Sequence, residues 1–398
     1  MATRHSSKKI IPLPNPKIGK IDFQFLGIII ILLSFGLIMI LSASSPVAHS
    51  SAMTGYDSFY YFKKQLVWAL IGFFLMFVTS NYDYRKLRRW SGIALVVSFV
   101  LLLAVLIPGI GVVVNDARRW IQLGPINFQP SEVAKFGVVL FMAESLARNH
   151  KVLKKFGGLM YYLIILGVFA GIIMLEPHFS CTMLIMSAAA IMLFVSGARW
   201  KHIGILAIPV VVVIIIMVVS APYRLARVTT FMDPFKDIKG EGWQIVQSLY
   251  AIGSGGIFGA GIGQSRQKYL NIPEPQNDFI FSIICEELGL FGAILVIALF
   301  VFLIYRGIKI ALNAPDLFGT LLVVGIISLI AMQALVNIAV VTSSMPVTGM
   351  PLPFFSYGGT ALAITMAEMG VVLNVSRYGT ERKLIDRKVA DLHEEKSD

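Results

Sequence analysis

The stretch FQFLGIIIILLSFGLIMILSA, residues 23–43, decides the class of fold. It contains no charged residue, and a helix of roughly 20 apolar residues crosses a hydrocarbon core of about 30 Å. A cleavable signal peptide has an apolar core of only about 7–15 residues. Although Ser42-Ala43-Ser44 resembles a cleavage site, we interpret the stretch as a retained membrane anchor.

The composition extends this interpretation to the whole chain. Of the 398 residues, 57% are hydrophobic and 14% are charged, whereas soluble domains have about 45–50% apolar and about 25% charged residues. This excludes a soluble multi-domain enzyme and an intrinsically disordered chain. The two cysteines and six histidines have neither disulfide nor metal-ligand spacing, so we predict no metal site built from protein ligands.

Further apolar segments of membrane-spanning length follow the first. The sequence therefore predicts an all-α polytopic membrane protein with about ten transmembrane helices. The predicted spans lie at residues 23–43, 64–80, 90–108, 131–147, 158–175, 180–197, 201–220, 279–304, 317–343 and 358–376.

The formal net charge of +12 predicts the orientation. Lys and Arg concentrate in alternate connections, and the positive-inside rule then places both termini in the cytoplasm. We interpret basic runs such as Arg85-Lys86-Leu87-Arg88-Arg89 as topology anchors, so no nucleic-acid partner is expected. The predicted parts are a basic cytoplasmic tail 1–22, a membrane domain 23–376 with a large extracytoplasmic loop 221–278 between spans seven and eight, and a cytoplasmic tail 377–398.

A first polar cluster surrounds the start of the fourth span. Glu132 and Lys135 are neighbours on one helix face, and the free N–H groups of a helix start favour an anion. Arg118 and Arg119 precede them. Two interpretations stay open: an internal ion pair with interfacial arginines, or a site for a phosphorylated lipid head group.

A second cluster lies before the eighth span. Asp278 stands where the apolar span meets the outer interface, so partial burial would raise its pKa into the range that a general base needs. The alternative is an ordinary helix N-cap. The spacing of Gly255, Gly259 and Gly263 is typical of close helix packing.

A third cluster, residues 345–359, is uncharged, contains three prolines and separates the last two spans. Irregular backbone at membrane depth must be buried in protein or line a cavity. We therefore expect it to form a cavity wall to which Ser356 and Tyr357 contribute hydroxyl groups.

These motifs closely resemble the SEDS family of bacterial membrane proteins, which contains FtsW, RodA and SpoVE. The similarity covers nearly the whole chain, and the ending Leu373–Tyr378 favours the FtsW/SpoVE branch. The matching stretches are residues 117–124, 128–135, 242–248, 251–256, 273–281 and 345–359, together with Asn337.

The resemblance implies a peptidoglycan glycosyltransferase that polymerises lipid II on the outer face of the cytoplasmic membrane and releases undecaprenyl diphosphate. Asp278 aligns with the family's essential acid, which is the proposed catalytic base. The implied substrate-binding residues are Arg118, Arg119, Gln129, Ser131, Glu132, Lys135, Ser356 and Tyr357.

The resemblance also implies partners and a location. A class B penicillin-binding protein with transpeptidase activity is expected, together with divisome or sporulation proteins at the septum. A divalent cation, Mg²⁺ or Mn²⁺, is a candidate cofactor for the pyrophosphate chemistry.

The chain departs from the common family sequence at two places, and two other functions stay open. Glu176-Pro177-His178 replaces the common Gln-Pro-Asp of relatives, and Ser343 replaces a common Gly. A lipid II flippase and a non-catalytic scaffold for the transpeptidase are the alternatives to an enzyme.

Overall fold

The computed structural model describes residues 19–114, 117–124, 126–149, 153, 156–198, 222–238, 240, 242–269 and 271–394. Most of these residues are helical. The helices are α1 Phe23–Ser50, α2 Tyr60–Asn81, α3 Leu87–Leu106, α4 Pro130–Asn149, α5 Phe156–Leu175, α6 Phe179–Val195, α7 Pro222–Met232, α8 Trp243–Ser254, α9 Ile280–Leu312, α10 Leu317–Val341 and α11 Gly359–Glu394.

The helical membrane fold is confirmed. Among the described residues, seven helices are long and apolar enough to cross a membrane: α1, α2, α3, α5, α9, α10 and the first part of α11. Helix α6 is one residue short of that length, and α4 carries Glu132, Lys135, Glu144 and Arg148. The predicted span 201–220 lies outside the described residues, so the count of ten and the orientation stay predictions.

A small antiparallel sheet precedes α4, which the all-α prediction did not include. Strands β1 Gly111–Val114, β2 Ala117–Leu123 and β3 Ile126–Phe128 pair in the order β1-β2-β3. β-Branched and aromatic residues in this short polar connection favour strands. Because β3 runs almost directly into α4, the sheet places the arginines of β2 beside the start of that helix.

The predicted loop 221–278 contains two helices. Helix α8 buries one face against the bundle, where Ser248 Oγ donates to the carbonyl of Val341 at 2.8 Å. Trp243 Nε1 donates to the carbonyl of Asn271 at 2.6 Å, which ties α8 to the segment that leads to α9. The loop is therefore a packed element that holds the approach to Asp278.

The glycine-rich segment after α8 packs closely on α9, although not as the helix that the spacing suggested. Helix α9 is interrupted at Gly289, whose φ is 64° and ψ is −158°. The freed carbonyls of Glu286 and Glu287 accept from the amides of Ala260 and Gly261, each at 2.9 Å. A Cβ on Gly259 would lie 2.2 Å from the Glu287 carbonyl oxygen, so only glycine permits this approach.

A buried polar network, which we call the latch, fixes the next part of this segment. Lys268 Nζ lies 2.7 Å from Glu287 Oε1 and donates to Ser42 Oγ of α1 at 3.1 Å. The carboxylate of Glu286 accepts from Ser265 Oγ at 2.5 Å and from the Arg266 amide at 2.8 Å. The latch thus consists of Ser42, Ser265, Lys268, Glu286 and Glu287, and it joins the segment to α1 and α9.

Candidate active site

Asp278 lies immediately before α9 and is held by its backbone. Asn337 Nδ2 of α10 donates to the Asp278 carbonyl at 2.7 Å and to the Met350 carbonyl at 2.6 Å. A Cβ on Gly349 would be 3.4 Å from Asp278 Oδ2, so the carboxylate faces the proline-rich loop 345–358. The N-cap position of α9 is Phe279, and no side chain caps this helix. The N-cap interpretation of Asp278 is therefore wrong.

The surroundings of Asp278 favour a proton acceptor near neutral pH. The side chain is half-buried, and burial raises the pKa of its carboxyl to about 6. The negative charge of Glu274 raises this pKa further, while the positive charges of Arg119 and Arg227 lower it. A carboxyl of this pKa is ionised at neutral pH and is still basic enough to accept a proton.

Arg118 and Arg119 serve different neighbours because adjacent strand residues point to opposite faces. Arg118 Nη1 donates to the carbonyl of Leu106 at 3.1 Å, at the end of α3. Arg119 Nε donates to the carbonyl of Glu176 at 3.1 Å and its Nη2 donates to that of Pro177. Of the two, Arg119 is the one whose charge acts on Asp278.

The predicted pair on α4 forms and is buried. Lys135 Nζ lies 2.8 Å from Glu132 Oε2 and donates to Gln333 Oε1 of α10 at 3.2 Å. Pro130 is the first helical residue, so Glu132 stands in the first turn. There the free N–H groups stabilise a carboxylate.

Two amides of α10, four residues apart, connect this pair to Asp278. Gln333 Nε2 donates to the Pro351 carbonyl at 3.0 Å, and Asn337 holds the preceding carbonyl of Met350. Gln333 thus links Lys135, and Asn337 links the Asp278 backbone, to adjacent carbonyls of the proline-rich loop. Sequence reasoning missed Gln333, although two amides at this spacing in an apolar helix are a detectable signal.

The turn between α5 and α6 contributes a carboxyl group without a partner. Glu176 is fully buried, and neither carboxylate oxygen has a hydrogen-bond partner in the described part of the chain. Burial raises the pKa of Glu176 to about 8, against the opposing charge of Arg119. Burial and the charges of Arg119 and Lys135 lower the pKa of His178 to about 3, so this ring stays neutral.

The remaining predicted substrate contacts lie around the same loop. Ser356 Oγ donates to the Asn277 carbonyl at 2.6 Å and accepts from the Leu352 amide at 2.7 Å. The ring of Tyr357 packs edge-on against Tyr61 with centroids 5.0 Å apart. At the start of α4, Gln129 is buried and Ser131 Oγ lies 3.4 Å from His178 Nδ1. Their roles toward a substrate stay predictions.

The described residues bring together no group of three or more His, Cys, Asp or Glu side chains that could hold a metal ion. The FtsW/RodA/SpoVE family model, described as a cell cycle protein, matches residues 23–381. The chain belongs to this family. It is 45% identical over 359 residues to stage V sporulation protein E of Bacillus subtilis, with 90% of this chain and 97% of that protein covered.

Other members of the family are also similar. A probable peptidoglycan glycosyltransferase FtsW of Trichlorobacter lovleyi is 41% identical, with 90% of this chain and 94% of that protein covered. A solved structure described as a peptidoglycan synthase complex that coordinates polymerization and crosslinking matches at 28% identity and a TM-score of 0.74, covering 90% and 98%. The crystal structure of RodA from Thermus thermophilus matches at 26% identity and a TM-score of 0.63, covering 90% and 97%.

Membership of the FtsW/RodA/SpoVE family confirms the resemblance found in the sequence. The roles of individual site residues stay predictions. Arg227 and Glu274, which bracket Asp278 electrostatically, were not predicted. Glu274 lies in the matching stretch 273–281 and Arg227 lies in α7, but the effect of their charges on Asp278 depends on tertiary packing, which the sequence does not show.

Proposed function

We propose that this protein is a peptidoglycan glycosyltransferase that polymerises lipid II into β-1,4 glycan strands on the outer face of the cytoplasmic membrane. The observation that carries the proposal is Asp278, a half-buried acid with a pKa of about 6 that faces Arg119 and a rigid loop. The names of the relatives as FtsW glycosyltransferases and a sporulation protein support it.

Asp278 acts as the general base. Its carboxylate accepts the proton of the acceptor sugar's 4-hydroxyl group while that oxygen attacks C1 of the donor sugar. The new O4–C1 bond forms as the bond from C1 to the pyrophosphate oxygen breaks, with inversion at C1. The electron pair leaves with undecaprenyl diphosphate, and the proton stays on Asp278 until it passes to water.

The cations around Asp278 stabilise the leaving group. Pyrophosphate gains negative charge in the transition state, and pre-placed cations are most effective for such charge. The charge of Arg119 acts on Asp278, and the charges of Arg119 and Lys135 both act on His178. Arg227 of α7 supplies a third positive charge. Mg²⁺ or Mn²⁺ bound to pyrophosphate oxygens would add to this charge, and it stays a prediction.

The partner we propose is a class B penicillin-binding protein that cross-links the new strands. The similar solved structure is described as a complex that joins polymerization to crosslinking. The names of the relatives favour division or sporulation over elongation, so the proposed site of action is the division or sporulation septum.

Lipid II turnover by the purified complex of this chain and its transpeptidase tests the proposal. Wild-type protein should produce glycan strands, and Asp278→Asn should lose about 10²- to 10⁴-fold in rate, the usual contribution of a general base. Asp57→Asn is the matched control because Asp57 forms an exposed ion pair with Lys63. This control should keep its rate.

The same experiment separates the rival functions. Translocation of lipid II that persists in Asp278→Asn, with no polymer under any condition, would identify a flippase and overturn the proposal. Recruitment of the transpeptidase with neither polymer nor translocation would identify a scaffold.

A further inference from the structure

A cavity of about 520 Å³ lies where α2 turns into α3 beside the last turns of α4. Glu132 of the candidate active site lies in the first turn of α4, and Arg148 of the cavity lies in its last turn. At 1.5 Å per residue the two positions are about 24 Å apart, so the cavity lies at the opposite end of the bundle. Five cationic side chains line it: Arg85, Lys86, Arg88, Arg89 and Arg148.

The positive charge of this cavity is only partly neutralised. Among the described residues that line it, Glu144 is the one acid, and its Oε1 lies 2.5 Å from Arg148 Nη2. Arg88 Nη2 lies 3.6 Å from Asp316 Oδ2. Lys86 and Arg89 have no carboxylate at ion-pair distance in the described part of the chain. The cavity therefore attracts an anion.

Two of its arginines are held in place before any ligand binds. The Arg85 guanidinium stacks 4.5 Å from the ring centroid of Tyr378, and that of Arg88 lies 4.9 Å from the centroid of Phe318. Such stacking fixes the planar group, and a fixed group loses less entropy when it binds. Arginine is the side chain best suited to planar, two-point recognition of a phosphate.

An adjoining cavity of about 470 Å³ indicates that the anion carries an apolar part. It shares Glu144 and Arg148 with the cationic cavity and is lined by the rings of Phe141, Tyr161 and Tyr162. Tyr161 is 52% exposed, and half-exposed aromatic rings are typical of the membrane interface. A ligand that occupies both cavities has a charged head beside apolar groups.

We propose that the cationic cavity binds the phosphate head group of an anionic phospholipid. The positive-inside rule places this end of the bundle in the cytoplasmic leaflet, where anionic lipids attract clustered Lys and Arg. The aromatic side of the adjoining cavity receives the glycerol and upper acyl region. This proposal does not depend on the glycosyltransferase activity.

Native mass spectrometry of the full chain with added phosphatidylglycerol or phosphatidylcholine tests the site. Lys86→Gln with Arg89→Gln removes two lining cations that have no ion pair in the described part of the chain. At about 1 kcal/mol for each cation near an anionic lipid, the affinity for phosphatidylglycerol should fall roughly thirty-fold. Glu144→Gln should strengthen phosphatidylglycerol binding, because it removes the negative charge of the one acidic residue among the described lining residues.

The matched control is Lys63→Gln with Lys64→Gln, which removes the same charge at the other end of α2. It should leave the affinity unchanged. An equal loss in both double variants, or equal binding of phosphatidylcholine, would show general surface attraction and overturn the proposal. Displacement of the lipid by about 10 mM inorganic phosphate would assign the cavity to a soluble anion and would likewise overturn it.

Discussion

Two buried Lys–Glu pairs occupy this bundle, and their surroundings differ. Lys268 lies 2.7 Å from Glu287 in the latch, and Lys135 lies 2.8 Å from Glu132 at the candidate active site. All four side chains are nearly inaccessible to solvent. The pairs have the same chemistry and similar distances, so any difference in role comes from their neighbours.

The two surroundings differ in how fully their buried polar groups are hydrogen-bonded. In the latch, hydroxyl and amide groups donate to both carboxylates, Glu286 and Glu287. Elsewhere in the candidate site, by contrast, the Glu176 carboxylate, Arg118 Nε and Asn337 Oδ1 have no hydrogen-bond partner in the described residues. A fully satisfied network fixes a fold, while unsatisfied buried groups need another explanation, such as a ligand. We infer that the first pair supports structure and the second supports chemistry.

The largest expected effect is on the stability of the latch. Lys268→Met leaves the Glu287 charge buried without its cation, which costs about 3–5 kcal/mol of unfolding free energy. Thermal unfolding followed by circular dichroism should show a large drop in Tm. Lys63→Met, which breaks an exposed pair, should cost about 0–1 kcal/mol. Adding Glu287→Gln to Lys268→Met should restore part of the lost unfolding free energy, because it removes the unpaired charge. If nothing is restored, the buried Lys268–Glu287 ion pair is not what stabilises the latch.

Lys135→Met should affect the polymerisation rate more than the stability of the protein. Its stability loss should be smaller than that of Lys268→Met, because Glu132 stands in the first turn of α4, where helix N–H groups stabilise its charge. Its lipid II polymerisation rate should fall about 10²-fold, the scale for removing one group that stabilises transition-state charge. A wild-type polymerisation rate in a folded Lys135→Met protein would show that the Lys135–Glu132 pair supports the structure and not the reaction.

Glu176→Gln should stabilise the protein in a pH-dependent way. Because the folded-state pKa of about 8 exceeds the ordinary value of 4.5, ionisation opposes folding above about pH 4.5. This penalty grows until about pH 8. The variant should therefore gain several kcal/mol at pH 8, on the order of 1.4 kcal/mol for each unit by which the pKa is raised, and little at pH 4.5. A gain that is equal at both pH values would contradict the unpaired carboxylate.

Ser356→Ala should have the smallest effect of the four. It removes the bonds to the Asn277 carbonyl and the Leu352 amide, and a neutral hydrogen bond contributes about 1 kcal/mol. Tm should fall slightly. A rate loss much larger than the Tm change explains would assign Ser356 to substrate binding, as the sequence predicted.

The sequence predicted features that depend on local spacing. Apolar runs located the helices to within a few residues at most boundaries, and Pro130 correctly marked the start of α4. The spacing of Glu132 and Lys135 correctly predicted an ion pair on one helix face.

Features that depend on contacts between distant segments were not predictable. The ion pair of Glu287 with Lys268 joins α9 to the glycine-rich segment, 19 residues earlier in the chain, and local spacing does not indicate it. The Gly255–Gly263 spacing indicated close packing, which occurs, but the segment packs as turns on the break at Gly289. The divergent directions of Arg118 and Arg119 follow from a sheet that hydropathy did not reveal.

The most direct test of the account is the pH dependence of kcat/KM for lipid II polymerisation by the wild-type complex and Arg119→Gln. The base must be ionised, so the wild-type rate should fall below about pH 6. Removing the Arg119 charge raises the pKa of Asp278, so the falling limb should move to higher pH in the variant. A limb at the same pH in both proteins, or no limb between pH 5 and 7, would contradict Asp278 as the base.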